Sequence, residues 1–252
     1  MKNGILAVFA ILAIQLPSLG AVLLQDDFGA DGPLNGQFPD IGSPWAVSGT
    51  NLSTFEGSLF LPNSDGEASS SFLSQSNGTL FAGISFSVIQ SPSMFGSFFF
   101  SFLSGPVTVG RLFVTPTGDS ETFNIGVENN LDNPLIWTSA LSVGANYRAV
   151  VGFTEDGTSD LTRLWIDPVT IDSDSVADTA ETVASSIDGI RLRSSDPFPS
   201  WSTGSEILIN EICVGDSFGA VAVPESNTYP FLMGFFVTAF VLCKRFSSKR
   251  ND

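Results

Sequence analysis

The sequence predicts an all-β protein whose body is an antiparallel β-sandwich. Between Val22 and Val223, apolar residues repeatedly alternate with polar ones, which is the two-residue period of a half-buried strand. Gly, Pro, Asn and Asp divide this region into short segments, and no convincing helix-period segment interrupts them. At least ten such strands joined by short turns favour two packed sheets. Because no break in composition marks a second domain, we expect a single body.

The individual strands are predicted in chain order from their patterns. The phenylalanine-rich segment "SMFGSFFFSFL" suits the space between two sheets, "LTRLWIDP" ends at Pro168, and "EILINEICVG" closes the series. The stretch Ile171–Ser186 has no clear pattern and is predicted to be a long surface loop. The expected core faces are Ala82, Ile84, Phe86 and Val88 in "TLFAGISFSVI", Phe123, Ile125 and Val127 in "ETFNIGVEN", and Tyr147, Ala149, Val151 and Phe153 in "NYRAVVGFT".

Residues 1–20 have the three parts of a secretory signal peptide. Lys2 supplies the positive charge, Ile5–Ile14 forms an uninterrupted apolar core, and Pro17 precedes small residues. Cleavage after Gly20 is expected. An uncleaved anchor is the alternative, but ten apolar residues are short for a helix that needs about 20 to span a bilayer.

The C-terminal sequence "PESNTYPFLMGFFVTAFVLCKRFSSKRND" predicts a membrane-embedded helix. The apolar run covers residues 229–243, which is short for a spanning helix. A basic cluster follows the run and predicts that the tail stays in the cytoplasm, with the body on the other side. The cluster consists of Lys244, Arg245, Lys249 and Arg250. A plain single-pass anchor would account for all of these features.

A plain single-pass anchor accounts less well for Pro224 and Glu225, which precede the apolar run. Together with the short helix and the basic end, they resemble the PEP-CTERM sorting signal of Gram-negative bacteria over residues 221–252. Ser226 stands where that signal has its second proline. The resemblance implies a transient stay in the inner membrane and processing by an exosortase-like membrane protease. The body would then reach the envelope surface or the extracellular matrix.

A second resemblance covers most of the body. "LLQDDFGADGPLNG" with Trp45 soon after, "YRAVVGFTEDGTSDLTRLWIDP" and "ILINEICVGDSFGAV" are similar to the opening strand, central hairpin and closing strand of concanavalin A-like (LamG-type) domains. The resemblance implies a concanavalin A-like jelly roll over residues 21–220. It also implies that the first and last strands pair. Since this fold hosts many functions, it does not itself specify a ligand.

The charge of the body limits its partners. Residues 21–223 contain 24 Asp and Glu against five Arg and no Lys, which leaves a net charge of −19, five minus 24. Repulsion from phosphate therefore excludes nucleic acid, whereas divalent cations and neutral glycans stay compatible. The chain has no His, the usual general base. Its two cysteines, Cys213 and Cys243, are not expected to form a disulfide.

No catalytic residue is assigned, and the sequence predicts a protein that is not an enzyme. Glycosidases of the jelly-roll type carry an E-x-D-x-x-E strand, and this motif is absent from the sequence. Glu121 and Glu128 are seven residues apart, which places them on opposite faces of a regular strand. Asp172 and Asp174 share a face by spacing, but their surroundings indicate a loop. A hydrolase therefore ranks third among the possible functions.

No metal ligand is assigned either, although calcium is compatible with two acidic groups. Asp26, Asp27, Asn210 and Glu211 would converge if the first and last strands pair. The turn "TEDGTSD" brings together Glu155, Asp156 and Asp160. Neither group has the spacing of a known calcium loop, so solvated turns and strand edges are the simpler interpretation.

An exposed aromatic residue for stacking on sugars is best sought in loops. Trp201 in "DPFPSWSTG" is the candidate, while Trp165 is predicted to be either exposed or packed in another layer. The sequence thus predicts an exported surface or matrix protein with a structural or adhesive domain. A glycan-binding, lectin-like module that retains polysaccharide is the alternative.

Overall fold

The computed structural model describes residues 20–62, 64, 66–76, 78–92, 97–129, 135–137, 139–155, 159–181, 184, 186–193 and 205–222. Residues 1–19 of the predicted signal peptide, Trp201, Pro224, Glu225, the apolar run 229–243 and the basic cluster lie outside this part of the chain. Within the described residues, no helix has the length and apolar composition needed to cross a bilayer.

The described residues form strands that belong to two antiparallel sheets, followed by one short helix. The prediction of an all-β antiparallel protein is confirmed. The elements are β1 (Val22–Asp26), β2 (Gly32–Pro33), β3 (Ala46–Ser48), β4 (Ser53–Phe55), β5 (Ser58–Leu61), β6 (Glu67–Gln75), β7 (Gly78–Gln90), β8 (Ser97–Ser104), β9 (Val107–Pro116), β10 (Thr122–Glu128), β11 (Leu135–Ile136), β12 (Leu141–Ser142), β13 (Asn146–Glu155), β14 (Ser159–Ile166), β15 (Val176–Glu181), β16 (Ile187–Arg193), β17 (Glu206–Gly215) and α1 (Phe218–Ala222).

The strand order shows that most neighbours are distant in sequence. The nine-stranded sheet A has the order β15-β14-β13-β7-β17-β5-β4-β2, with β1 also paired to β17. The eight-stranded sheet B has the order β11-β10-β9-β8-β16-β6-β3, with β12 also paired to β10. The pairing of β1 with β17, which the LamG-type resemblance implied, is confirmed.

The core lies between the two sheets and contains the inward faces that the alternation predicted. Phe99, Phe100 and Phe102 of β8 are fully buried in it, as expected for the phenylalanine-rich segment. The ring centroids of Phe100 and Phe102 lie 5.1 Å apart, and those of Phe86 and Phe99 lie 5.2 Å apart. Burying each such ring contributes about 1.5–3 kcal/mol, so this layer is a main source of stability.

The expectation of one long loop over Ile171–Ser186 is wrong for the middle of this stretch. Residues Val176–Glu181 form β15, which pairs with β14 at the edge of sheet A. This strand is formed by backbone hydrogen bonds to its neighbour β14, and an edge strand does not need an alternating apolar pattern to form them. The segment before it, including Asp172 and Asp174, is a loop as expected.

The short helix α1 was not predicted, and it covers part of the outer face of sheet A. Val221 and Ala222 are buried there with Phe81, Val150 and Trp165 in a second, smaller core. The expected boundary between the body (21–220) and the tail (221–252) falls inside this helix. The folded body therefore extends at least to Ala222.

Candidate functional site

The four residues proposed for calcium do not form one group. Asp26 is the register partner of Ile212, so Glu211, one position earlier, points to the opposite face of β17. The Glu211 carboxylate instead lies 3.1 Å from Nη1 of Arg148 on the outer face of sheet A. The Asn210 amide oxygen accepts a hydrogen bond from Ser58 Oγ at 3.0 Å. These two residues therefore have structural partners of their own.

Asp26 organises the loop that follows β1. Its carboxylate accepts hydrogen bonds from Trp45 Nε1 at 2.6 Å and from the Phe28 backbone N–H at 2.7 Å. Burial raises the pKa of Asp26, the two hydrogen bonds oppose this shift, and the nearby charge of Asp40 adds to it. The opening motif and Trp45, which carried the LamG-type resemblance, thus meet in one buried contact.

Asp26 does lie in a carboxylate cluster, but with a residue that the sequence did not suggest. Oxygens of Asp26, Asp27 and Asp40 lie within 4.8 Å of one another. Both oxygens of Asp26 are already hydrogen-bonded, and Asp27 accepts a bond from the Gly29 N–H. Calcium binding here stays a prediction.

The second acidic group is only partly described, since Asp156 lies outside the described residues. Asp160 is not a solvated turn residue: it is 1% exposed, and its Oδ2 accepts a hydrogen bond from the Ala184 N–H at 3.3 Å. It holds neighbouring chain segments in place.

The glutamate pair considered for hydrolysis, Glu121 and Glu128, is also separated. Glu121 is exposed in the turn before β10, whereas Glu128 at the end of that strand is buried beside Arg111. A glycosidase needs two carboxyl groups that face one substrate from about 5 to 9 Å apart. The spacing placed Glu121 and Glu128 on opposite faces of one strand, and in the structure only Glu128 belongs to β10.

A cleft of about 200 Å³ opens on the outer face of sheet A beside α1. Thr79 and Thr154 hydrogen-bond to each other at 2.7 Å, and Trp165 Nε1 donates to the Ile171 carbonyl at 3.1 Å. Trp165 is only 3% exposed, so its ring packs within the layer rather than offering a face to a sugar. The polar groups of the cleft are therefore largely occupied by one another.

The outer face of sheet B carries arginine and phenylalanine side chains, and we call it the Arg–Phe face. It consists of Phe98 on β8, Arg111 and Phe113 on β9, and Arg191 and Arg193 on β16. The two phenylalanine ring centroids lie 5.8 Å apart. The guanidinium carbons of Arg193 and Arg111 lie 5.1 and 5.8 Å from the Phe98 ring centroid, within the range of cation–π attraction.

Strand alternation places these residues outward. In β16, Ile190 and Leu192 enter the core between the sheets, so Arg191 and Arg193 face away from it. The hydroxyl-bearing Ser101 and Ser69 are the register partners of Arg191 on the two neighbouring strands. Phe98 and Phe113 are only 4% and 6% exposed and Ser101 is fully buried, so the face presents mainly its arginines and Ser69 to solvent.

Two of the three arginines of the Arg–Phe face have acidic neighbours, and Arg111 also donates hydrogen bonds to the hydroxyl and carbonyl oxygens of Thr108. Glu128 lies 4.0 Å from Arg111, and Glu67 lies 3.7 Å from Arg191, both beyond ordinary hydrogen-bond length. Burial lowers the pKa of Arg111, the nearby Arg193 charge adds to this shift, and Glu128 opposes it. In the sequence, the only sign of this face is the two-residue spacing of Arg191 and Arg193, which puts both on one side of a strand.

Comparisons with known proteins give similarity only at the level of fold. No family model matches the chain, and no curated protein matches it. The chain is similar to the CBM2 module of the evolved Dit of Lactobacillus casei BL23 phage J-1, with a TM-score of 0.45, 13% identity, and coverage of 77% of this chain and 94% of that one.

Two further solved structures are similar. The seed lectin of Lotus tetragonolobus has a TM-score of 0.42 and 12% identity, covering 73% of this chain and 97% of that one. The binding domain of botulinum neurotoxin serotype D/C has a TM-score of 0.47 and 9% identity; the match covers 78% of this chain but 49% of the toxin chain. At these identities the similarity concerns the fold alone.

Proposed function

We propose that the chain is an exported surface or matrix protein whose β-sandwich adheres to polysaccharide through the Arg–Phe face. The observation that carries the proposal is the placement of Arg191, Arg193 and Ser69, all partly exposed, on neighbouring strands of one outer sheet face. Guanidinium and hydroxyl groups hydrogen-bond to sugars.

The proposal is for binding without catalysis. The sequence pattern of paired glycosidase carboxylates is absent, and the two glutamates beside the face, Glu128 and Glu67, lie against Arg111 and Arg191. Adhesion needs only that such a surface be presented outside the cell. A concanavalin A-like jelly roll is the fold that we propose for the sandwich, from the sequence motifs quoted above.

A substitution that covers the Arg–Phe face with a large side chain is expected to weaken the binding of polysaccharide. Ser69 is partly exposed beside Arg191, so Ser69→Trp would place a large ring on the face without removing any of its residues. We expect retention on a panel of soluble and insoluble polysaccharides to weaken on the order of tenfold, or about 1.4 kcal/mol. Affinity electrophoresis measures this.

The matched control is Thr179→Trp, which adds the same ring to the exposed edge strand β15 of sheet A. It should leave retention unchanged. Wild-type protein that is retained by no polysaccharide would contradict the proposal and leave a passive matrix component as the function.

Export and sorting form the second part of the proposal and rest on the sequence. Replacing both Pro224 and Glu225 with Ala should leave unprocessed, membrane-bound protein if an exosortase-like protease reads them. Intact mass spectrometry of membrane and released fractions measures this, with Ser247→Ala in the tail as the control. Normal release of the double variant would refute sorting and favour a plain anchor.

A further inference from the structure

The short helix α1 comes directly before the sorting motif in the sequence. Pro224 is the second residue after Ala222, the last residue of α1, and Glu225 is the third. A protease has to hold the chain on both sides of the bond that it cuts. Whether it can do so depends on the burial and hydrogen bonding of the backbone concerned. The state of α1 therefore affects any cleavage at this motif.

The side chains of α1 are packed against the outer face of sheet A. Val221 is fully buried and Ala222 is 6% exposed, and both belong to the smaller core that contains Phe81 and Trp165. Phe218, which is partly buried, has its ring centroid 5.8 Å from that of Phe81 and 5.2 Å from that of Trp165. Apolar contacts at both of its ends therefore hold α1 on the sheet.

The backbone of α1 is held as well. Nε and Nη2 of Arg148 both donate hydrogen bonds to the Val221 carbonyl, with a distance of 3.0 Å from Nε. The Arg148 guanidinium is itself fixed by Ser85 Oγ at 2.8 Å and by Glu211 at 3.1 Å. Gly83 lies against the same carbonyl, and a Cβ at Gly83 would come within 2.1 Å of its oxygen. Val221 cannot keep these contacts and bind to a protease in an extended conformation at the same time.

Helix α1 is too short to persist once it leaves sheet A. It has five residues, and an isolated helix shorter than about 12–15 residues is marginal in water. Gly219 inside α1 lowers the helical preference further. The segment therefore has two states, docked and helical or detached and unfolded. Opening such a unit locally costs less free energy than unfolding the whole body, and only the detached state offers an extended chain to a protease.

We propose that α1 controls the processing of the tail: docking on sheet A protects the sorting motif, and cleavage requires that α1 detach. This inference rests on the sorting part of the proposed function and adds its regulation. The surface that receives α1 is built by β7, β13 and β17, which are neighbours in sheet A but far apart in sequence, so only a folded body has it. The rate at which α1 detaches then limits the rate at which the folded body is released from the membrane.

The test measures cleavage after Glu225 by an added glutamate-specific endoprotease, so it does not depend on the proposed exosortase-like protease. Full-length protein is purified in detergent and digested for increasing times. Intact mass spectrometry follows the loss of residues 226–252. When detachment is fast relative to cleavage, the cleavage rate reports the population of the detached state.

Two variants of α1 are expected to change this rate in opposite directions. Phe218→Ala removes the ring that packs on Phe81 and Trp165, so we expect cleavage to become about tenfold faster. A Cβ at Gly219 would meet no neighbouring atom within 4 Å, and alanine favours a helix over glycine, so Gly219→Ala should slow cleavage about fivefold. Gly219→Ala keeps every contact of α1, so it tests the proposal even if Phe218→Ala folds poorly.

The control is Asn129→Ala, which weakens a connection between the two sheets and leaves the contacts of α1 in place. Its cleavage after Glu225 should proceed at the wild-type rate. Equal acceleration by Asn129→Ala and Phe218→Ala would show that the whole body has to unfold first, and would overturn the proposal. Wild-type cleavage rates in both variants of α1 would overturn it as well.

The same variants in the native host separate this inference from sorting itself. Faster release of Phe218→Ala and slower release of Gly219→Ala would support both. The expected shifts with the added endoprotease, together with full-length protein that stays in the membrane for every variant, would refute sorting and leave the protection by α1 intact. Equal release of all variants in the host, without any shift for the added endoprotease, would overturn the inference and leave sorting intact.

Discussion

Replacing Arg148 with alanine is expected to lower the free energy of unfolding by about 3–5 kcal/mol, the usual cost of removing one partner of a buried ion pair. The Arg148 side chain is 8% exposed and lies 3.1 Å from Glu211. It also donates two hydrogen bonds to the Val221 carbonyl near the end of α1. Its loss would leave a partly buried carboxylate unpaired and release the helix from sheet A.

Urea unfolding followed by tryptophan fluorescence measures this effect. The control is Arg163→Ala, because Arg163 makes a hydrogen bond to Ser175 and is only partly buried, so we expect a loss below about 1 kcal/mol. Gly83→Ala is an independent test, since a Cβ at Gly83 would collide with the Val221 carbonyl oxygen. If both Arg148→Ala and Gly83→Ala kept wild-type stability, α1 would not contribute to the fold.

Replacing Asn129 with alanine is expected to cost about 3 kcal/mol. Asn129 follows β10 of sheet B, and its side-chain amide donates to the Asp160 carbonyl of β14 at 2.9 Å. Its amide oxygen accepts hydrogen bonds from Thr162 Oγ1 and from the Gly110 N–H. One side chain thus joins sheet B to sheet A, and its removal leaves several buried groups without a partner at about 1–3 kcal/mol each.

The same unfolding experiment on Asn124→Ala is the control, because Asn124 lies on β10 itself with one long hydrogen bond of 3.4 Å to Pro116. We expect a change below about 0.5 kcal/mol for it. Equal losses from both variants would argue that the cost comes from this region generally and not from the link between the sheets.

The strands with one face in the core were predictable, because apolar and polar residues alternate along a strand that is buried on one side. Ala82, Ile84, Phe86 and Val88 of β7 enter the core as their spacing indicated. The edge strand β15 and the short helix α1 were not predictable. β15 is formed by backbone pairing with β14, and the five residues of α1 are too few to show a helical period.

The candidate site required the strand order as well. Arg111 lies on β9 and Arg191 on β16, about 80 residues apart, and the two meet only because β8 pairs with both of these strands. The proposed calcium group shows the converse. Pairing of β1 with β17 was correctly expected, but the register placed Asp26 and Glu211 on opposite faces.

The sequence by itself determined the all-β class, the core faces of the main strands and the acidic charge of the body. The fold class and the core faces follow from the two-residue period of each strand, and the charge follows from the composition. The tertiary structure decided the register of the terminal strands, the docking of α1 against Arg148, and the placement of Arg111 and Arg193 at the Phe98 ring. Those depend on contacts between residues far apart in sequence, and alternation within one strand cannot specify its neighbour.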